Sequence, residues 1–272
     1  MISICDDLRK SVLQAAIQGK LTKQLPEDGN AEDLYKEIQS EKQRLIKEGK
    51  IKKEKPLPEI TDDDIPFDIP SNWKWIRLAN IAIGENGDRS NKYPVESDYV
   101  RKGIPFFGSK DMVDNSMSFN EVRYISQEKF NELGNGKLIN NDIVCLLRGS
   151  VGKTALFEKT DEFSTGFICA QMMIIRCLFE SFVDYVFLCM KTPEFAEQVR
   201  EKTTGTAVRQ LPAKDVMQMV IPMPPLAEQK RIVARIDELM KRIEEVEKTE
   251  KNITSLYETF PGDMKAALLQ TA

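Results

Sequence analysis

From Leu226 the sequence reads LAEQKRIVARIDELMKRIEEVEKTEKNITSLYETF. Its apolar residues Ile232, Ile236, Leu239, Ile243, Val246, Ile253, Tyr257 and Phe260 recur in alternating steps of four and three, and Glu250 alone breaks the series. That alternation keeps a narrow seam on one side of a helix, so the segment is expected to form one long helix of coiled-coil character rather than the broad stripe of a helix lying on a globule. Carried to Phe260 it would be about 50 Å long at 1.5 Å per residue. Glu244, Glu245, Glu247, Lys248 and Lys251 occupy its flanks. The competing reading is a helix packed on its own domain, because Pro261 and Gly262 interrupt the pattern and sustained pairing asks for three or more heptads.

The rest of the chain changes character three times. Residues 5–21 place Leu8, Val12, Ala15, Ala16 and Ile17 at helical spacing, with Gly19 as a stop. Asn30 can cap a second helix that carries Leu34, Ile38, Leu45 and Ile46 on one face. Prolines at 56, 58, 66 and 70 make residues 51–70 an extended linker. From Trp73 to Pro225 short apolar runs alternate with glycines. Strands are expected at KWIRL, IPFFG, VRYIS, DIVCLLR, TALFE, CAQMMIIRC and MVIPM, and helices near 127–133, 182–190, 193–202 and 213–216. The fold class is therefore α/β in the broad, α+β sense, with one globular domain between long helices. The divisions are 1–55 helical, 56–72 proline-rich linker, 73–225 globule and 226–272 long helix. One internal echo, LRKSVLQAA at 8–16 and MKAALLQTA at 264–272, suggests a unit that finishes where it began.

The chain of 272 residues contains no histidine, which removes the usual base of nucleophilic triads, the H-E-x-x-H zinc helix and the zinc-deaminase signature. Five cysteines, at 5, 145, 169, 177 and 189, form no C-x-x-C pair and are expected as reduced, mostly buried thiols. No cofactor or metal is expected. No run of about 18 apolar residues suits a bilayer, and MISICDDLRKS lacks the layout of a signal peptide, so the expectation is a cytoplasmic protein without a membrane partner. A net charge of −4 argues against sheer electrostatic adhesion to nucleic acid but leaves room for a local basic surface.

RGSVGK at 148–153 looks at first like a phosphate-gripping loop. The G-x-x-x-x-G-K-[ST] pattern would need glycine where Leu147 stands, so the loop is too small to surround a phosphate. What remains is a hairpin with Arg148 and Lys153 beside a glycine turn. It either faces a polyanion or is an ordinary solvated hairpin. The loop TTGTAVRQLPAKD at 203–215 offers Thr203, Thr204, Thr206, Arg209 and Lys214 as phosphate partners and Gln210 as a base reader or a helix cap. It reads equally as a pin between the domain and the next strand. Glu48-Gly-Lys50 has the spacing of a nuclease E-x-K, but at the end of a charged helix it is a solvated face. Asp62, Asp63 and Asp64 fall in the linker, where nothing is expected to converge them on Mg²⁺. The methyltransferase motifs D/N-P-P-Y/F and F-x-G-x-G are missing.

Four stretches, LRKSVLQAAIQGKLTKQ, IPSNWKWIRLANI, DIVCLLRGSVGK and TTGTAVRQLPAKDVMQMVIPMPPLAEQKRIVARIDEL, together resemble the DNA specificity subunit of type I restriction-modification systems, in that order along most of the chain. The last is the most specific: a G-T-x-x-x-x-L loop, a strand ending in proline pairs, then an L-x-E-Q-x-x-I helix. The resemblance implies a non-catalytic subunit in which residues 73–225 are a target recognition domain reading half of a split site on double-stranded DNA. Residues 226–272 would be a spacer helix that docks methyltransferase subunits and, in a full system, a restriction subunit. The usual member has two recognition domains and this chain has one. That implies a half-subunit or truncated form, which two chains would complete as a homodimer through Ile236, Leu239, Ile243, Val246 and Ile253. Arg148, Ser150 and Lys153 are the expected DNA contacts, with Lys110, Gln171 and Arg209 behind them. The alternative is an interaction scaffold that keeps the fold without binding DNA.

Overall fold

A computed structural model of the chain describes residues 4–53, 55–206 and 209–260. Helix α1 (Ile4–Ile17) ends just before Gly19, whose φ of 68° takes the left-handed conformation that glycine adopts without cost. Helix α2 (Ala31–Lys47) starts at the expected cap, where the Asn30 side chain accepts a 2.9 Å bond from the amide of Asp33. The described residues of 51–70 form no strand and no α-helix, only one tight 3₁₀ turn at Asp62–Asp64. The linker is nevertheless tied down. Arg77, itself buried, donates to the carbonyls of Pro58 and Glu59 at 2.9 Å each and to Asp64 at 2.8 Å. Asp64 is thus an ion-pair partner.

The globule follows in chain order: β1 (Lys74–Arg77), α3 (Leu78–Ile81), β2 (Ala82–Asn86), β3 (Tyr99–Val100), β4 (Ile104–Phe107), β5 (Met112–Val113), β6 (Ser116–Met117), β7 (Arg123–Ile125), α4 (Gln127–Glu132), β8 (Lys137–Leu138), β9 (Asp142–Leu146), β10 (Thr154–Phe157), β11 (Gly166–Ile168), β12 (Met172–Cys177), α5 (Val183–Cys189), α6 (Pro193–Lys202), α7 (Ala213–Gln218) and β13 (Val220–Met223). Each strand and helix expected in this region is present. The expectation missed β2 and the short strands β3, β5, β6, β8 and β11, because runs of two to five residues carry too little periodicity to read.

A six-stranded sheet runs β2-β12-β9-β10-β6-β5, a five-stranded sheet runs β3-β7-β4-β11-β8, and β1 pairs antiparallel with β13. The alternation of β9 explains how the layers stack. Ile143, Cys145 and the following Leu147 enter a core shared with the helices, while Val144 and Leu146 enter a core shared with the five-stranded sheet. In β12, Met173 and Ile175 face the helices, and Met172 and Ile174 face the second sheet. With both faces covered, these strands are apolar from Ile143 to Leu146 and from Met172 to Ile175, which is why they read as continuous runs.

The helical core crosses the divisions visible in the sequence. Ala16 and Ile17 of α1, Ala31 and Ile38 of α2, Trp73, and Ile232 and Ile236 of the last helix α8 (Leu226–Thr259) are buried in one cluster with α5, α6 and α7. Along α8 the heptad divides. Ile232, Ile236 and Ile243 are buried and Leu239 is half-buried, whereas Val246 and Ile253 are 47% and 61% exposed. From Glu244 to Phe260 only Glu247 and Tyr257 are less than exposed. The first half of the seam is therefore filled within the chain and the second half stands free of its core. Helix α1 lies antiparallel beside α8, with Arg9 paired to Glu247 and the Cys5 thiol 3.8 Å from Glu250. At the other end Arg231 grips Asp28 at 2.7 Å. The tail copy of the echo, 264–272, lies outside the described residues. Among those described, no helix is long and apolar enough to cross a membrane.

Candidate nucleic-acid interface

The glycine turn does not hold its amides open. The N–H groups of Val151, Gly152 and Lys153 donate to the carbonyls of Gly149, Leu146 and Ser150, so these three are not left to surround a phosphate. Gly149 and Gly152 sit at φ 84° and 81°, and a Cβ on Gly152 would come within 2.7 Å of Val199. The glycines serve a left-handed turn packed against α6. The described residues of the 203–212 loop are pinned, but to the segment after β9 rather than to the strand that follows: Thr204 and Gln210 exchange backbone bonds, Arg148 bridges Gln210, and Leu211 donates to Leu147 at 2.9 Å.

The feature that gathers charge lies where the ends of β4, β11 and β12 meet the segment after β9. It is an open cleft of about 860 Å³ whose lining includes Arg89, Lys110, Arg123 and Arg148 and no carboxylate. Two aspartates sit in the same loops and both are turned inward. Asp88 accepts from the amides of Ser90 at 2.7 Å and Gly134 at 2.9 Å, and Asp111 accepts from the amide of Gly108 at 2.7 Å. Burial pushes the Asp88 carboxyl upward, but the bonds from Ser90, Gly134 and Asn135 outweigh it and hold it below the usual carboxylate range. The acids thus build the loops that carry Arg89 and Lys110, and only the cations face the cleft.

The cleft residues are positioned by neighbours. Arg89 donates from Nε and Nη2 to the Ala170 carbonyl at 3.2 and 3.1 Å. Arg123 donates to the Tyr99 hydroxyl at 2.9 Å and lies over the rings of Tyr99 and Phe106, 5.0 and 4.8 Å from their centroids. Lys110 reaches the Glu121 carbonyl at 3.3 Å. Tyr93 packs edge-on against Phe106, and burial raises its hydroxyl pKa. Gln171 sits in the turn before β12, its carbonyl taking a 2.8 Å bond from Leu147.

Of the six residues expected at DNA, the cleft brings together Arg148, Lys110 and Gln171. Ser150 is exposed on the turn and Arg209 on the neighbouring loop, both outside the cleft lining. Lys153 is also outside it, and its ammonium is taken up by the Met112 carbonyl at 2.6 Å, where it holds the β5–β6 hairpin to β10. Sequence reasoning missed Arg89, Tyr93, Ser109 and Arg123. Arg89 stood in the turn-forming NGDRSN and Arg123 on the polar side of VRYI, signals that mark solvent exposure without saying what else converges there. Among the described residues no group of three or more acidic or thiol side chains is placed to hold a metal ion.

A protein-family model described as the Type I restriction modification DNA specificity domain matches residues 70–255. Among curated relatives, the chain is 32% identical over 254 residues to the type I restriction enzyme EcoAI specificity subunit of Escherichia coli. That alignment covers 92% of this chain and 41% of the relative. It is 30% identical to the EcoEI specificity subunit of the same organism, over 87% of this chain and 40% of the relative. The chain therefore spans less than half the length of these relatives. Among solved structures, the HsdS subunit from Thermoanaerobacter tengcongensis superposes with a TM-score of 0.52 at 19% identity, over 89% of this chain and 48% of that one. A chain from a structure of type I R-M complex assembly gives 0.53 at 20% identity, over 93% and 56%. At those identities the superpositions speak for the fold alone.

Proposed function

The chain belongs to the type I restriction-modification DNA specificity family, and from that premise we propose that it is a non-catalytic, sequence-specific DNA-recognition unit whose cationic cleft meets duplex DNA. The observation that carries this reading is the concentration of Arg89, Lys110, Arg123 and Arg148 around one cleft with no lining carboxylate, on a chain whose net charge is −4. Excess positive charge gathered in one place on an acidic protein matches a polyanion, and paired guanidinium groups suit phosphate oxygens. The acidity elsewhere fits a subunit whose grip is completed by partners, here methyltransferase subunits and, in a complete system, a restriction subunit. Residues 73–225 act as the recognition domain and 226–272 as the spacer. Pairing of two chains through the second half of α8, where Val246, Ile253 and Phe260 are exposed, would present two equal clefts and so favour an interrupted palindrome.

The test is the salt dependence of retention on random-sequence duplex DNA with the cognate methyltransferase present. Each phosphate contact removed should lower the log–log slope by about 0.9, so Arg148→Ala and Arg89→Ala should each weaken retention and flatten the slope by about one. Retention that is absent or insensitive to salt in the unaltered chain favours an interaction scaffold instead.

A further inference from the structure

We propose that Gln171 is the residue of the cleft that discriminates between bases, by presenting its side-chain amide to the edge of an adenine. The inference rests on the reading that the cleft meets duplex DNA and adds which side chain reads sequence. Three of the four cations are partly committed: Arg89 to the Ala170 carbonyl, Arg123 to the Tyr99 hydroxyl and two ring faces, and Lys110 to the Glu121 carbonyl. Groups anchored in this way deliver positive charge at fixed points, which serves phosphates, and phosphate contacts carry no sequence information.

Arg148, Ser109 and Gln171 are different. No side-chain hydrogen bond ties any of them to another described residue, and all three are exposed at the cleft. Their chemistry separates them. A guanidinium only donates, so it serves a phosphate as readily as the O6 and N7 of guanine, and a lone hydroxyl accepts or donates to any base edge. A carboxamide sets one donor beside one acceptor, which matches N7 and the N6 amino group that adenine displays in the major groove. Among the cleft side chains Gln171 alone carries that pair.

Its backbone is held as a reader's must be. The Gln171 carbonyl takes the 2.8 Å bond from Leu147, and Met172, the next residue, donates to the Cys169 carbonyl at 3.1 Å and is fully buried at the start of a central strand. The same Leu147 precedes Arg148. The backbones that carry the free guanidinium and the free amide are therefore held beside one another at the ends of adjacent strands, a phosphate anchor beside a base reader. A reading group in a turn tied to a central strand keeps its backbone better placed than one on an untied loop tip.

The experiment selects binding sites from a pool of random-sequence duplex DNA with the full chain and its methyltransferase, comparing the unaltered protein with Gln171→Ala and Gln171→Glu. The unaltered chain should return a motif with adenine at one fixed position, favoured about tenfold or more over other bases. Gln171→Ala should return the same motif with that position degenerate, at an unchanged salt slope. Gln171→Glu should move the preference there to cytosine, whose amino group a carboxylate accepts. An identical motif from Gln171→Ala, or relaxation of the position by Arg148→Ala instead, overturns the assignment. If the unaltered chain selects no motif at all, the DNA-reading function itself fails, and this inference with it. Circular dichroism confirms that the variants are folded; at an exposed position both should be.

Discussion

Glu228 has no exposed surface, and the groups that donate to it are neutral: Thr22 at 3.0 Å, Gln24 at 2.9 Å and the Trp73 indole at 2.8 Å. It belongs to the L-x-E-Q-x-x-I signature of α8, and the structure gives that signature a physical meaning. Leu226 and Ile232 pack on the helical core, Glu228 fastens the segment after α1 and the entry to β1, and Gln229 donates to the Pro224 carbonyl at 2.8 Å to close the turn that starts the helix. Glu228→Ala would leave the buried Trp73 indole N–H without an acceptor, while the half-buried Thr22 and the exposed Gln24 can turn to water. At about 1 to 3 kcal/mol for one buried orphan, a loss of that size is expected, read as a lowered melting temperature. Glu228→Gln keeps the volume and one acceptor but turns an amide donor toward the Trp73 N–H or its neighbours, so it should fall between. A melting temperature unchanged in the alanine variant would show that the network contributes nothing.

At the scale of elements, α5 and α8 enclose a charge. Lys191, just past α5, lies 3.7 Å from the centroid of Phe187, and burial pushes its pKa down to about 8, with Asp237 of α8 pulling the other way. Asp184 of α5, Glu244 of α8 and Arg9 of α1 line the same groove. A lysine whose folded pKa lies below its unfolded value weakens the fold while both states are protonated, and the weakening is relieved as the folded state loses its proton first. Stability from this group should therefore rise between about pH 8 and the ordinary lysine range near 10.5, and Lys191→Met should abolish that rise. Melting curves at pH 7, 9 and 10 on both proteins decide it. The pairing of α1 with α8 responds at the opposite extreme. The Lys251 ammonium and then the Arg9 guanidinium hold the Glu247 carboxyl down to about 2, so that tie persists above the usual carboxylate range and is lost only as the pH falls toward 2.

At the scale of the molecule, the heptad serves two surroundings. Its first half is buried against the chain's own α1 and α5, and its second half offers Val246, Ile253 and Phe260 to solvent, with Leu256 exposed beside the seam. A helix extended beyond its packing partners gains little from propensity alone, so an apolar seam there is stabilised by whatever covers it. If a second copy does so, light scattering on the eluted protein should give twice the chain mass, and Ile253→Glu combined with Leu256→Glu should return it to the chain mass. A monomer in the unaltered protein removes the paired-spacer arrangement and leaves the cleft untouched. Ile236 and Ile243 are poor choices for this test, because their loss would open a cavity within one chain, at a cost of about 2 to 5 kcal/mol each for truncation to alanine.

What the sequence determined by itself is what short-range periodicity and turn chemistry encode. The α8 heptad, the Asn30 cap, the continuous apolar runs of β9 and β12 and the proline stop before α8 each act within a few residues, so each is legible along the chain. The refusal of RGSVGK to be a phosphate loop was legible too, because glycine spacing sets loop size. Only the tertiary structure decided which half of the heptad is consumed inside the chain, since that depends on α1 returning beside residues far away in sequence. It also decided that Lys153 spends its charge on the Met112 carbonyl, and that Asp88 and Asp111 turn inward while Arg89, Lys110, Arg123 and Arg148 converge. Charge at a site is a sum over space, and a linear sequence gives only the terms of that sum, not their distances.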